Sequence, residues 1–147
     1  MRNALVVIGL LFVASCSGER RASSPLVARV TEVTSFEQLA GQPQWASGAR
    51  NRLAGAILRF ERDGTFIYEL PDSRDDLFPI RGSYRRDGEV IVFEGASSSE
   101  FDPTNRGDAA VTGTLLLTTD PQIELRWGTS VITAATEYTG TARVRID

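Results

Sequence analysis

The sequence predicts an all-β domain: about eight antiparallel strands in a meander that closes into a barrel, with one short helix near the start of the folded part. Three observations lead there. From Leu26 onward apolar residues recur mostly at every second position, the strand period rather than the helical one. Asp63-Gly64 and Asp87-Gly88 each sit between apolar runs, a strong short-range signal for a hairpin turn. No segment with helical spacing is long enough to carry a crossover between parallel strands.

The first strand is expected at Leu26, Ala28 and Val30, alternating with Val27, Arg29 and Thr31. Thr34 with Glu37 three residues on has the form of a capping box, and Gly41 then Pro43 would end the short helix it begins. Gln42 to Arg52 shows no clear period and reads as loop or a second short helix. Ala56 to Leu70 is the clearest unit, two strands around Arg62-Asp63-Gly64. A three-residue loop with Gly64 left-handed pairs Phe60 with Phe66 and Leu58 with Tyr68, which gathers the apolar side chains on one face. The same loop chemistry at Arg86-Asp87-Gly88 would set Arg85 opposite Glu89 and Tyr84 opposite Val90. Val90-Ile91-Val92-Phe93 is apolar on both faces, so that strand is central or covered outside. A third hairpin joins Val111–Thr119 to Gln122–Trp127 through Asp120-Pro121. In the last strand Tyr138, Gly140, Ala142, Val144 and Ile146 face one way, and Arg143 and Arg145 the other.

The amino end reads as an address label. Arg2 precedes an uncharged run from Ala4 to Ala14, well short of the roughly 20 residues a membrane-spanning helix needs. The run closes on Val13-Ala14-Ser15-Cys16, which resembles the lipobox of bacterial lipoproteins. The resemblance implies cleavage before Cys16, acylation of that cysteine, and attachment to the envelope. Ser17, rather than an acid, after the cysteine resembles outer-membrane cargo facing the periplasm. Cys16 is the only cysteine in the chain, so lipidation leaves the mature protein with neither thiol nor disulfide. The expected organisation is a lipoprotein signal peptide over 1–15, the lipidated cysteine and a flexible tether over 16–25, and a single barrel domain over 26–147. Two or three acyl chains at about 0.8 kcal/mol per buried CH₂ anchor firmly where one binds marginally.

Composition excludes several kinds of chemistry. Of 147 residues none is histidine or lysine, and all 16 basic residues are arginine against 19 acids. Losing Arg2 with the signal peptide takes the formal charge from −3 to −4, so no nucleic-acid partner is expected. Without histidine there is no Ser-His-Asp triad and no imidazole ligand; without lysine there is no Schiff base. Carboxylate pairs remain the one catalytic option, with Glu61, Glu69, Glu94, Glu124 and Glu137 as members. On the predicted register Glu61 and Glu124 fall on solvent faces, and the chain is read as a non-enzyme. Asp72, Asp75 and Asp76, and likewise Asp102, Asn105 and Asp108, match no calcium-loop spacing and read as solvated loops, so no metal or cofactor is expected. Arg106-Gly107-Asp108 reads as a chance triplet, and Ser97-Ser98-Ser99 lacks a base to activate a serine.

The order strand, Arg-Asp-Gly, strand, then Gly82-Ser83-Tyr84 and Asp87-Gly88 resembles a bacterial lipocalin-like domain over roughly Gly55 to Gly95. Departures are visible: Gly41 and Trp45 are four apart where true lipocalins have Gly-x-Trp, and Thr136-Glu137-Tyr138 lies near the end of the chain. The resemblance implies a barrel that binds a small apolar or amphiphilic ligand. Leu58, Phe60, Phe66, Tyr68, Tyr84 and Trp127 are the candidate pocket lining, with Trp45 and Phe93 as further aromatics. The rival expectation is an envelope lipoprotein that holds a protein partner through a sheet edge or the loops at 71–79 and 95–110.

Overall fold

The computed structural model describes residues 24–41, 46–70, 79–98, 108–131 and 134–147. The segments expected to be signal peptide and, for the most part, tether lie outside these with Cys16, as do Trp45, the 71–78 acids and the 99–107 part of the second long loop. Eight strands form a closed barrel in sequence order, β1 through β8, every neighbouring pair antiparallel. They are β1 (Leu26–Ala40), β2 (Ile57–Phe60), β3 (Thr65–Glu69), β4 (Ile80–Asp87), β5 (Val90–Ser98), β6 (Asp108–Leu116), β7 (Gln122–Val131) and β8 (Ala134–Ile146). One helix, α1 (Ala46–Ala54), lies between β1 and β2. The all-β meander barrel with one short helix is therefore the fold.

The first hairpin has the expected register, Phe60 opposite Phe66 and Leu58 opposite Tyr68. Gly64 takes the left-handed conformation at φ +87° that the loop requires. The alternations in β7 and β8 also stand: Ile123, Leu125, Tyr138, Ala142 and Val144 are buried, while Glu124, Arg126, Arg143 and Arg145 are exposed.

Two expectations need correction. The capping-box helix at Thr34 does not form, because β1 continues through Ala40 and pairs along its length with β8. Thr34 Oγ1 meets Thr141 Oγ1 at 2.8 Å instead of capping a helix. Register shifts after Val30, Val33 and Gln38 break the alternation there, which hides the strand from a period-two reading. Of the two alternatives for Gln42 to Arg52, loop or a second short helix, the helix forms, at Ala46–Ala54. The second hairpin is tighter than expected: Asp87 pairs with Val90 across a two-residue Gly88-Glu89 turn, and Tyr84 faces Phe93 rather than Val90. The bulged alternative would turn Val90 and Val92 inward and expose Ile91 and Phe93. The observed register buries the two larger side chains and stacks Phe93 on Phe66 at 4.5 Å between centroids. Such a pair contributes about 0.5–1.5 kcal/mol beyond area burial. Of the two expectations for β5, central or covered outside, the first holds: β5 lies between β4 and β6, and nothing among the described residues covers its outer side. Val90 is 36%, Val92 44% and the cross-strand neighbour Leu116 42% exposed.

Candidate functional site

The barrel has two unlike ends. The two short turns at Arg62–Gly64 and Gly88-Glu89, the 117–121 loop and the start of β1 gather at one end. The connection carrying α1 and the 71–79, 99–107 and 132–133 connections leave from the other.

The turn end is filled. Phe60 packs against Phe66, Tyr84 and Phe93 with centroids 5.4, 5.1 and 5.7 Å apart. The Tyr84 hydroxyl donates to the Glu61 carbonyl at 2.5 Å and so closes this end with a satisfied polar group. Phe93 has room because β6 carries Gly113 beside it. A Cβ there would lie 2.5 Å from the ring.

The α1 end is more open. Phe36, Tyr68, Trp127 and Tyr138 line a recess there, with Leu53 and Arg52 of α1 over it. Tyr138 stacks between Phe36 and Trp127 at 5.3 and 5.6 Å. Leu53 is the side chain that docks α1, reaching Gly140 on β8, and it is 4% exposed. Burial pushes the Tyr68 phenol above its usual range, partly offset by the positive charge of Arg52. The free space enclosed is about 20 Å³, room for about one water and far below the roughly 300–1,000 Å³ of ordinary ligand pockets.

The six candidate lining residues therefore divide. Phe60, Phe66 and Tyr84 belong to the filled cluster, Leu58 is fully buried in the barrel core, and only Tyr68 and Trp127 reach the recess. Phe36, Leu53 and Tyr138 complete that recess. Phe36 was hidden by the helical reading of 34–41, and Leu53 by the missing period before it.

Outside, the wall of β4, β5 and β6 is hollowed into a trough of about 600 Å³, lined by Ser83, Arg85, Val92, Glu94, Thr112 and Thr114. The registers place them as a grid. Ser83, Glu94 and Thr112 form one cross-strand row, and Arg85, Val92 and Thr114 the next. Below them Val90 pairs with Leu116, adding an aliphatic rim. Among the described residues the side chains of Ser83, Arg85, Glu94, Thr112 and Thr114 have no hydrogen-bond or ionic partner. The sequence reading put Arg85 on the wet face, but only the corrected β4–β5 register turns Val92 and Glu94 outward beside it.

The five glutamates raised as catalytic candidates do not share a cleft. Glu61 borders the turn, Glu69 faces Arg59 at 3.9 Å, Glu137 pairs with Arg126, and Glu94 and Glu124 project from β5 and β7. No family model, curated protein or solved structure matches the chain.

Proposed function

We propose that this chain is a non-enzymatic envelope lipoprotein, held by an acylated Cys16, that works by binding through the outer wall of β4–β6. The observation that carries this reading is the contrast between an interior filled among the described residues and the open trough, with its unengaged polar groups beside exposed Val90, Val92 and Leu116. Each strand is paired on both sides, so the wall rather than a sheet edge is the surface on offer. The envelope address, outer membrane facing the periplasm, is supported by the Val13-Ala14-Ser15-Cys16 sequence followed by Ser17.

Two measurements test it. Cys16→Ala is expected to abolish fatty-acyl labelling and signal cleavage, and undiminished labelling would remove the anchor. A photo-crosslinking residue at Ser83 or Thr112 in intact cells is expected to give adducts absent from the same residue at Thr141 on β8. Equal yields at all three positions would remove the wall as a site.

A second reading is a lipocalin-like barrel that takes one end of a small apolar or amphiphilic ligand at the α1 recess. It is favoured by the aromatic walls of Phe36, Tyr68, Trp127 and Tyr138. Native mass spectrometry of detergent-extracted protein checks it, since a retained ligand lost in Trp127→Ala would place the ligand there.

A further inference from the structure

We infer that the trough on β4–β6 is a site for a neutral oligosaccharide. The inference rests on the wall being the binding surface and names the chemistry of what binds there.

The polar groups of the trough are of three kinds. Arg85 only donates hydrogen bonds, the Glu94 carboxylate only accepts them, and Ser83, Thr112 and Thr114 do both. A sugar satisfies all three kinds at once, because every hydroxyl it carries is both donor and acceptor. One positive and one negative side chain leave the trough balanced, which gives a polyanion no electrostatic gain. Val92 lies in the middle of the grid, 44% exposed, with Arg85 and Thr114 as its cross-strand partners. That pattern suits a saccharide ring, whose C–H face is apolar and whose perimeter is hydroxylated. The volume, about 600 Å³, lies within the roughly 300–1,000 Å³ range of small-ligand sites.

The common peptide modes fit less well. Strand addition needs an open sheet edge, and this barrel is closed. An amphipathic helix needs an apolar groove, whereas five of the six side chains named here are polar or charged. In one other small barrel, the OB-fold, a strand face with its adjoining loops holds oligosaccharides or oligonucleotides, and the balanced charge here disfavours the latter.

The test uses the full detergent-extracted chain and the neutral trimer of N-acetylglucosamine as probe, with binding followed by titration calorimetry. Glu94→Gln and Arg85→Gln are each expected to weaken binding about tenfold or more, the scale of a lost hydrogen bond to a charged group. Arg143→Gln on the opposite wall is expected to leave binding unchanged. Equal binding by all four proteins, or none by the parent protein to this trimer or to a neutral glucan trimer, overturns the inference. Crosslinks from Ser83 and Thr112 to a protein, with no trimer bound, would overturn the saccharide while leaving the wall as the binding surface. Absence of preferential crosslinks together with absent binding would remove both.

Discussion

The seam where β8 meets β1 and the wall of β4–β6 belong to one barrel, yet they treat their charges in opposite ways. Along the seam the charges other than Glu37 are engaged. Asp147 takes hydrogen bonds from Arg29 and Arg145, Arg143 reaches Glu32 at 3.1 Å and Asp120 at 3.6 Å, and Arg126 on β7 pairs with Glu137. Ser35 and Thr34 both meet the Thr141 hydroxyl, at 2.6 and 2.8 Å. On the wall, Arg81, Arg85 and Glu94 have no such partner among the described residues. The seam joins residues 97 to 118 apart in the chain, and cross-strand pairs help fix its register despite the bulges in β1. The wall is built from consecutive hairpins whose register comes from the core behind it, so its outer side chains are left for other work.

The largest expected effect breaks both regions together, because they share that core. Phe93→Ala leaves a cavity against both Phe60 and Phe66 and is expected to cost about 3–5 kcal/mol in urea denaturation. A cost under about 1 kcal/mol would mean that the aromatic cluster does not set the β4–β5 register, since exposed substitutions are the ones that fall in that range. Gly113→Ala strains the core from the wall strand β6. Its new Cβ would run into the Glu124 carbonyl oxygen of β7 and lie 2.5 Å from the Phe93 ring, and such overpacking is expected to cost about 1–3 kcal/mol. The matching change on β8, Thr141→Ala, removes only an exposed hydroxyl contact and should cost less than Gly113→Ala in the same assay.

How much of this was legible in the sequence depends on where each residue's partner lies. The Phe60–Phe66 register could be read because its turn and both its strands fall within a few residues, and the apolar face decides between two loop lengths. The Tyr84–Phe93 register could not. Asp87-Gly88 permits either turn, and the choice is made by Phe66 and Phe60 on strands outside that hairpin. Thr34 and Glu37 imitate a helix start locally, while their strand identity comes from Thr141 and Thr139 near the other end of the chain. The trough was not legible, because the expected β4–β5 register turned Val92 and Glu94 inward and left only Arg85 of its centre outside. Its concavity belongs to three strands together, and no spacing in one strand encodes it.

Acid sharpens the contrast at a smaller scale. Hydrogen bonds from Arg29 and Arg145 hold the Asp147 carboxyl below its ordinary range, and Arg126 does the same for Glu137. The unfolded chain therefore binds more protons in acid than the folded one, so this stabilisation is present above the ordinary carboxylate pKa and fades as pH falls through the folded values. With no histidine in the chain, Tm should be nearly flat from about pH 5 to 8 and fall below about pH 4. Asp147→Asn should lower Tm slightly at neutral pH and make the acid decline shallower. A decline of unchanged steepness would show that the seam pairs contribute nothing to it.

The smallest expected effect is the most discriminating. Arg85→Gln and Glu94→Gln remove charges that touch no described partner, so each should change stability by no more than about 0.5 kcal/mol. Double substitution should behave additively, because no direct pair joins the two side chains. If these residues only keep the surface wet, their loss leaves both folding and binding untouched. Should they form the rim of a binding site, stability stays level while trimer affinity falls. The separation of those two readouts on one pair of variants distinguishes a solvated wall from a working one. A stability loss above about 1 kcal/mol, beyond the usual surface range, would instead show that Arg85 and Glu94 support the sheet and that the wall is braced like the seam.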